Sequence, residues 1–150
     1  RTTELDSTGS VLSTSADTLL IVSETLLGSE TWYIDNSGIT QTNRKDGRWI
    51  FSGSPYLTER YPARLNESYV IMDSAVGITA RVRSVDENVV VPLGSFSAYT
   101  YRWARTSNAE AVGDFSFSPN TGLIKSETYT RSSHGVYVST RKELIARSLH

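Results

Sequence analysis

The stretch that most constrains the fold is Phe115-Ser116-Phe117-Ser118-Pro119-Asn120-Thr121-Gly122-Leu123-Ile124-Lys125-Ser126-Glu127. Phe115 and Phe117 alternate with serines, the two-residue period of a half-buried strand. Pro119 has no backbone N–H, so that strand is expected to stop near Ser118. Asn120 and Gly122 tolerate positive φ, and Pro119–Gly122 reads as a tight turn. Alternation resumes through Leu123, Lys125, Glu127 and Tyr129. The stretch is therefore expected to be a β-hairpin with a long turn. It carries no catalytic apparatus.

The same grammar recurs along the chain. Asp17 to Leu27 reads as a strand with a core run, Leu19-Leu20-Ile21-Val22. Its apolar residues on both faces suggest a central or strongly curved strand. A helix competes there, but the Thr and Val content and Gly28 favour strand. Strands are expected at Glu30–Ile34, Ile39–Asn43 and Arg48–Ser52, split by Asp35-Asn36-Ser37-Gly38 and Lys45-Asp46-Gly47. Further strands are expected at Tyr69–Asp73 and Val76–Val85, with a turn at Asp86-Glu87-Asn88. Val89–Val91 begins the next rung, which Pro92 and Gly94 kink before Ser95–Arg105. Ala111–Ser118, Leu123–Tyr129 and Val136–Ser148 complete the series, with a tip at Arg131–Gly135. Turn signals at this spacing mark an antiparallel meander.

Two segments lack the pattern. Residues 1–16 are Ser/Thr-rich and read as a flexible leader or tether, with room for a short edge strand at the end. Gly53 to Asn66 holds Pro55 and Pro62 and reads as an irregular loop, either a gate or a plain crossover. Residues 17–150 are then one antiparallel β domain. About nine or more consecutive strands must hide their edges or curl. The expected fold is all-β: a single strongly curved antiparallel sheet, an open half-barrel.

Composition narrows the function classes. Fifteen basic residues against sixteen acidic ones leave no basic field for nucleic acid. The absence of cysteine excludes a disulfide framework, a thiolate metal site and a cysteine nucleophile within this chain. No apolar run approaches the ~18 residues of a membrane-spanning helix. His134 and His150 have no signposted catalytic partner, and no nucleophile-elbow, zinc-protease or phosphate-loop motif occurs. No catalytic residue, metal ligand or cofactor is expected.

The Phe115–Glu127 hairpin resembles the aromatic-x-Pro-x-x-Gly-Leu-Ile/Val-Lys hairpin of small bacterial cell-envelope lipoproteins of unknown function. Val89-Val90-Val91-Pro92-Leu93-Gly94-Ser95-Phe96 resembles that family's Val-x-Val-Pro-x-Gly-x-Phe segment, and Glu143-Leu144-Ile145 its closing strand. Tyr61-Pro62-Ala63 with Tyr69 resembles an upstream segment, although Asn66 stands where Gly is usual and Tyr69 where Trp is usual. The resemblance covers Tyr61 to Ser148. It implies a half-barrel similar to the lipoprotein carriers LolA and LolB. It also implies export to the periplasm or outer membrane, with a signal peptide and a lipid-bearing cysteine upstream of Arg1. Membrane attachment would then be peripheral, through that lipid.

One constellation suits ligand binding. Tyr99, Tyr101 and Trp103 share a strand face. In a curved sheet they would line a concavity with Trp32 or Trp49 nearby. Tyr and Trp each offer an apolar body and one polar contact, which suits a lipid or other amphipathic ligand. The bland alternative is that the stripe is packing. Arg81, Arg83, Arg102 and Arg105 either flank an anionic headgroup or form a solvated outer face. The expected function is a non-enzymatic envelope protein binding an apolar or amphipathic ligand. The rivals are an adaptor docking a partner protein by its sheet edge or aromatic face, and a hydrolase.

Overall fold

The computed structural model of the protein describes residues 1–72, 77–119, 121–133 and 135–145. Among them run thirteen strands and no helix. In chain order they are β1 (Thr2–Leu5), β2 (Val11–Ser15), β3 (Ile21–Leu27), β4 (Glu30–Asp35), β5 (Thr40–Arg44), β6 (Gly47–Ser52), β7 (Ser54–Arg60), β8 (Ser68–Met72), β9 (Ile78–Val91), β10 (Gly94–Arg105), β11 (Ala111–Ser118), β12 (Gly122–Ser132) and β13 (Gly135–Glu143).

All-β architecture is as expected, but the single strongly curved half-barrel is not what forms. The strands make two sheets, and neither is closed or strongly curled. One has eight strands in the order β2-β1-β13-β12-β11-β10-β9-β8, the other five in the order β3-β4-β5-β6-β7. The chain correspondingly divides into two compact units, Thr18–Pro62 and the remainder, where one domain was expected. The physical reason lies in Gly53–Asn66. Half of this expected loop is β7, antiparallel to β6 and hydrogen-bonded on one side only. Pro55 is tolerated because an edge strand needs no N–H on its outer side.

Within the Thr18–Pro62 unit, Trp32 is buried against the edge of the Phe51 ring at 5.8 Å. The Arg44 guanidinium lies over Trp49 and Trp32, 4.3 and 5.4 Å from their centroids. Both carboxylate oxygens of Glu30 hold that guanidinium, at 2.8 and 2.6 Å. Buried Glu59 is paired with Arg48 at 3.1 Å and accepts from the Thr58 hydroxyl at 2.6 Å. A buried carboxylate with these partners is tolerable; alone it would not be.

The other unit is a meander extended at its β13 edge by the first two strands of the chain. Residues 1–16, read as a leader, hold β1 and β2, and β1 lies antiparallel to β13. The Arg1 ammonium donates to the Glu143 carbonyl at 2.8 Å. Asp6 makes the intervening turn. Its Oδ1 accepts from the Thr8 N–H (2.8 Å), the Thr8 hydroxyl (2.6 Å) and the Ser10 N–H (3.0 Å). Asp35 repeats the device between β4 and β5, accepting from Ser37 N–H, Ser37 Oγ and Ile39 N–H at 2.9, 2.6 and 3.0 Å. The shared sequence is Asp-x-Ser/Thr-Gly, an aspartate side chain standing in for backbone turn acceptors.

Register differs from expectation at one hairpin. The chain does not turn at Asp86–Asn88; β9 continues for 14 residues to Val91. The reversal is at Pro92-Leu93, with Gly94 at φ +144°. Proline presets the first corner, and the strand bulges opposite Ala98–Tyr101 instead of ending. Val89, Val91, Ala98 and Ile124 form a buried cluster with Phe96 and Leu144 against it. β11 and β12 reverse between Ser118 and Gly122, as expected, with Gly122 at φ +93°. A Cβ at Gly122 meets no neighbour, so the cost of Gly122→Val is expected to be mainly backbone strain, about 1–3 kcal/mol. An unchanged melting midpoint would contradict that conformation. His134, His150, Val76 and the expected extension of the last strand beyond Ile145 lie outside the described residues.

Candidate functional site

The aromatic stripe on β10 is buried at Tyr101 and half-buried at Tyr99 and Trp103. Tyr99, Tyr101 and Trp103 stand opposite Phe117, Phe115 and Gly113 of β11. Tyr101 and Trp103 stand opposite Val82 and Ala80 of β9, both fully buried. Tyr101 itself has no exposed surface. The Tyr99 and Tyr101 rings stack at 6.4 Å, and Trp103 lies on Phe115 at 4.2 Å. Gly113 makes that last contact possible: a Cβ there would sit 2.6 Å from the Glu127 carbonyl oxygen and 3.0 Å from the Phe115 ring. An aromatic ring beside a strand glycine covers backbone that the missing side chain leaves bare. Trp103 Nε1 is buried and finds no acceptor among the described residues.

The five aromatic residues expected to line one concavity are divided between the two units. Tyr99, Tyr101 and Trp103 belong to one, Trp32 and Trp49 to the other. Trp49 is half-buried, donates through Nε1 to Asp46 at 3.0 Å, and carries Arg44 on its face. Trp32 is only 1% exposed. A groove of about 580 Å³ opens elsewhere, over β1, β2 and β13, lined by Thr3, Leu5, Val11, Thr14, Tyr137 and Arg141 among others. None of the five aromatic residues lines it.

The opposite face of β10 carries an ionic row in register across the sheet. Arg81, Arg102, Asp114, Glu127, Arg141 and Thr3 are successive cross-strand partners from β9 to β1. Arg102 grips Asp114 with two bonds of 2.8 and 2.7 Å, and Arg141 meets Glu127 at 2.8 Å. Of the four arginines read as a possible anion clamp, Arg102 is thus committed to Asp114. Arg105 lies 3.9 Å from Glu110, and Arg81 donates to Asn66 at 2.9 Å.

Tyr129 closes this row, its hydroxyl donating to Asp114 Oδ2 at 2.8 Å. Burial, and then the bond to the Asp114 carboxylate, push the Tyr129 phenol up to about 12. Burial by itself raises the Asp114 carboxyl. Hydrogen bonds from Arg102 and Tyr129, with the Arg102 and Arg83 charges, outweigh it and hold the group below the usual carboxylate range. The raised tyrosine contributes stability that is full below about pH 10, the unfolded value, and is lost as pH rises toward 12. The depressed Asp114 contributes stability present above its unfolded value near ~3.9, lost as pH falls through its folded value. In an ultraviolet titration Tyr129 is expected to ionise late, at about pH 12; burial raises Tyr61 as well. Asp114→Asn should bring the Tyr129 step earlier; Tyr129→Phe should remove it. A titration curve near pH 12 left unchanged by both Tyr129→Phe and Asp114→Asn would contradict this assignment.

The surface that sequence reasoning misplaced is the run Leu19–Val22. It was expected in the core, yet these residues are 51–68% exposed, and Leu26 is 67% exposed. The cause is topological. β3 ends the five-stranded order and pairs with β4 alone. A run apolar on both faces looks the same whether its own chain covers it or something else does. Among the described residues no group of three or more His, Asp or Glu side chains is placed to hold a metal ion. No family model, no curated protein and no solved structure matches the chain.

Proposed function

We propose that this chain is a non-enzymatic docking module of the cell envelope that receives an extended segment of a partner protein along β3. The observation that carries this reading is the edge itself. An edge strand presents unpaired N–H and C=O groups, and proteins normally blunt it with charge, proline or a covering element. Here the strand and its approach expose Leu19, Leu20, Ile21, Val22 and Leu26, and the intervening Ser23-Glu24-Thr25 carries a single charge, Glu24. Main-chain hydrogen bonds to such an edge supply affinity, and alternate apolar side chains supply selectivity. Placement in the envelope, behind an upstream lipid, rests on the resemblance of Tyr61–Ser148 to the lipoprotein family.

The test is site-specific photo-crosslinking in cells of the source organism. A photoreactive residue at Leu20 or Leu26 is expected to yield a discrete crosslinked partner, whereas one at exposed Val136 is not. Val22→Lys should abolish the crosslink. Identical products from all three positions, or none from β3, would overturn the reading.

Ligand binding by the β10 stripe is the second reading, and Trp103 Nε1 favours it. A buried donor without an acceptor costs about 1–3 kcal/mol, which a ligand oxygen would recover. A fluorescent fatty acid should then bind with micromolar affinity, roughly −8 kcal/mol. Trp103→Phe should weaken that binding and leave the melting midpoint in place. Failure of the wild-type protein to bind across a panel of lipids removes this reading.

A further inference from the structure

We infer that the groove over β1, β2 and β13 is a binding site for a small organic monoanion, a carboxylate on an apolar body. The groove holds about 580 Å³, within the ~300–1,000 Å³ of pockets that take small ligands. Three of its residues form a row in register across the strands. Arg141 of β13 stands opposite Thr3 of β1, and Thr3 stands opposite Thr14 of β2. Leu5 and Val11, partners further along β1 and β2, line the same groove and supply apolar surface. Tyr137 of β13 lines it too, with its ring and its hydroxyl.

The charge of the ligand follows from the donors. Arg102 spends both Nε and Nη2 on Asp114, whereas Arg141 donates to Glu127 through Nε alone, at 2.8 Å. Among the described residues the two terminal nitrogens of Arg141 have no partner, and neither do the hydroxyls of Thr3, Thr14 and Tyr137. Glu127 is shared with Lys125 at 3.1 Å, so two cations hold one carboxylate. Glu143, the carboxylate that lines the groove, is taken by the Arg1 guanidinium. Among these side chains one positive charge is left over. One surplus charge matches a carboxylate better than a phosphate dianion, and a guanidinium takes a carboxylate through two parallel bonds. The three hydroxyls can donate to the same oxygens. Leu5 and Val11 favour an apolar body over a bare ion. The groove shares no residue with the β3 edge or the β10 stripe, and any of the three can fail without the others.

The experiment is amide-resolved NMR of the protein titrated with benzoate, with benzyl alcohol and inorganic phosphate as comparison probes and a melting midpoint for every variant. Benzoate is expected to move the amide signals of Thr3, Thr14, Tyr137 and Arg141 with a millimolar dissociation constant. Benzyl alcohol lacks the charge and phosphate lacks the apolar body, so each should bind about ten-fold more weakly or worse. Arg141→Gln should weaken benzoate binding by about ten-fold or more. That change also removes the bond to Glu127, so Thr14→Val is the second variant; it leaves the ion pairs in place and should weaken binding several-fold. Trp103→Phe should leave benzoate binding unchanged, which separates this groove from the β10 stripe. Four amides that stay still at tens of millimolar benzoate overturn the proposal. So does benzyl alcohol or phosphate binding as tightly as benzoate, or benzoate binding that neither Arg141→Gln nor Thr14→Val weakens.

Discussion

Gly47→Ala is expected to remove the cooperative unfolding of the Thr18–Pro62 unit. Gly47 opens β6 after the Lys45-Asp46 turn, at φ +146°. A Cβ there would lie 2.1 Å from the Glu59 carbonyl oxygen, 2.7 Å from Leu57 Cδ1 and 3.0 Å from Arg60 Cα. Two of those three are backbone atoms of the paired strand, so no rotamer change relieves the overlap. Strain at this φ and overpacking each cost about 1–3 kcal/mol, and together about 2–6 kcal/mol. Small units have little stability to lose. Gly53→Ala is the control: φ is +76° there, but the space is open, so only the strain remains. Urea unfolding followed by tryptophan fluorescence compares the two. Equal midpoints for the two variants would mean that β6 and β7 do not approach as closely as described.

Trp32→Ala is expected to be as damaging, by about 3–5 kcal/mol, because it empties a buried site under Phe51 and Arg44. The same substitution separates packing from ligand contact. Trp49 reports on the same unit and Trp103 on the other, so fluorescence shows which one loosens. A variant that unfolds early in its own unit identifies Trp32 as core. An unchanged midpoint together with lost lipid binding would restore Trp32 to a ligand site.

Most strands were legible because they are local. Alternation between Phe115 and Tyr129, or between Ile78 and Arg83, reports which face each side chain takes, and Gly and Pro report where the chain reverses. Gly122, Gly38 and Gly28 sit at positive φ in or beside turns placed from sequence. The aspartate turns at Asp6 and Asp35 share the local signature Asp-x-Ser/Thr-Gly, which at Asp6 lies inside a segment whose Ser/Thr content suggests a tether. Pro92 and Gly94 were recognised as a bend, but the full reversal was placed too early. The polar residues Asp86-Glu87-Asn88 look like a turn, whereas here they ride on an exposed bulged length of β9.

What the amino-acid sequence determined by itself is therefore the strand content, the turn chemistry and the common face of Tyr99, Tyr101 and Trp103. Only the tertiary structure decided which strands became neighbours. Pairing of β1 with β13 joins the two ends of the chain, and nothing local in Thr2–Leu5 names its partner. The division into two sheets follows from where pairing stops, after β7 and before β8, not from any break in alternation. The same cause buried Tyr101 and exposed Leu19–Val22. A hydrophobic side chain carries a preference to leave water, but that preference is non-directional; the pairing of distant strands decides which of them are covered.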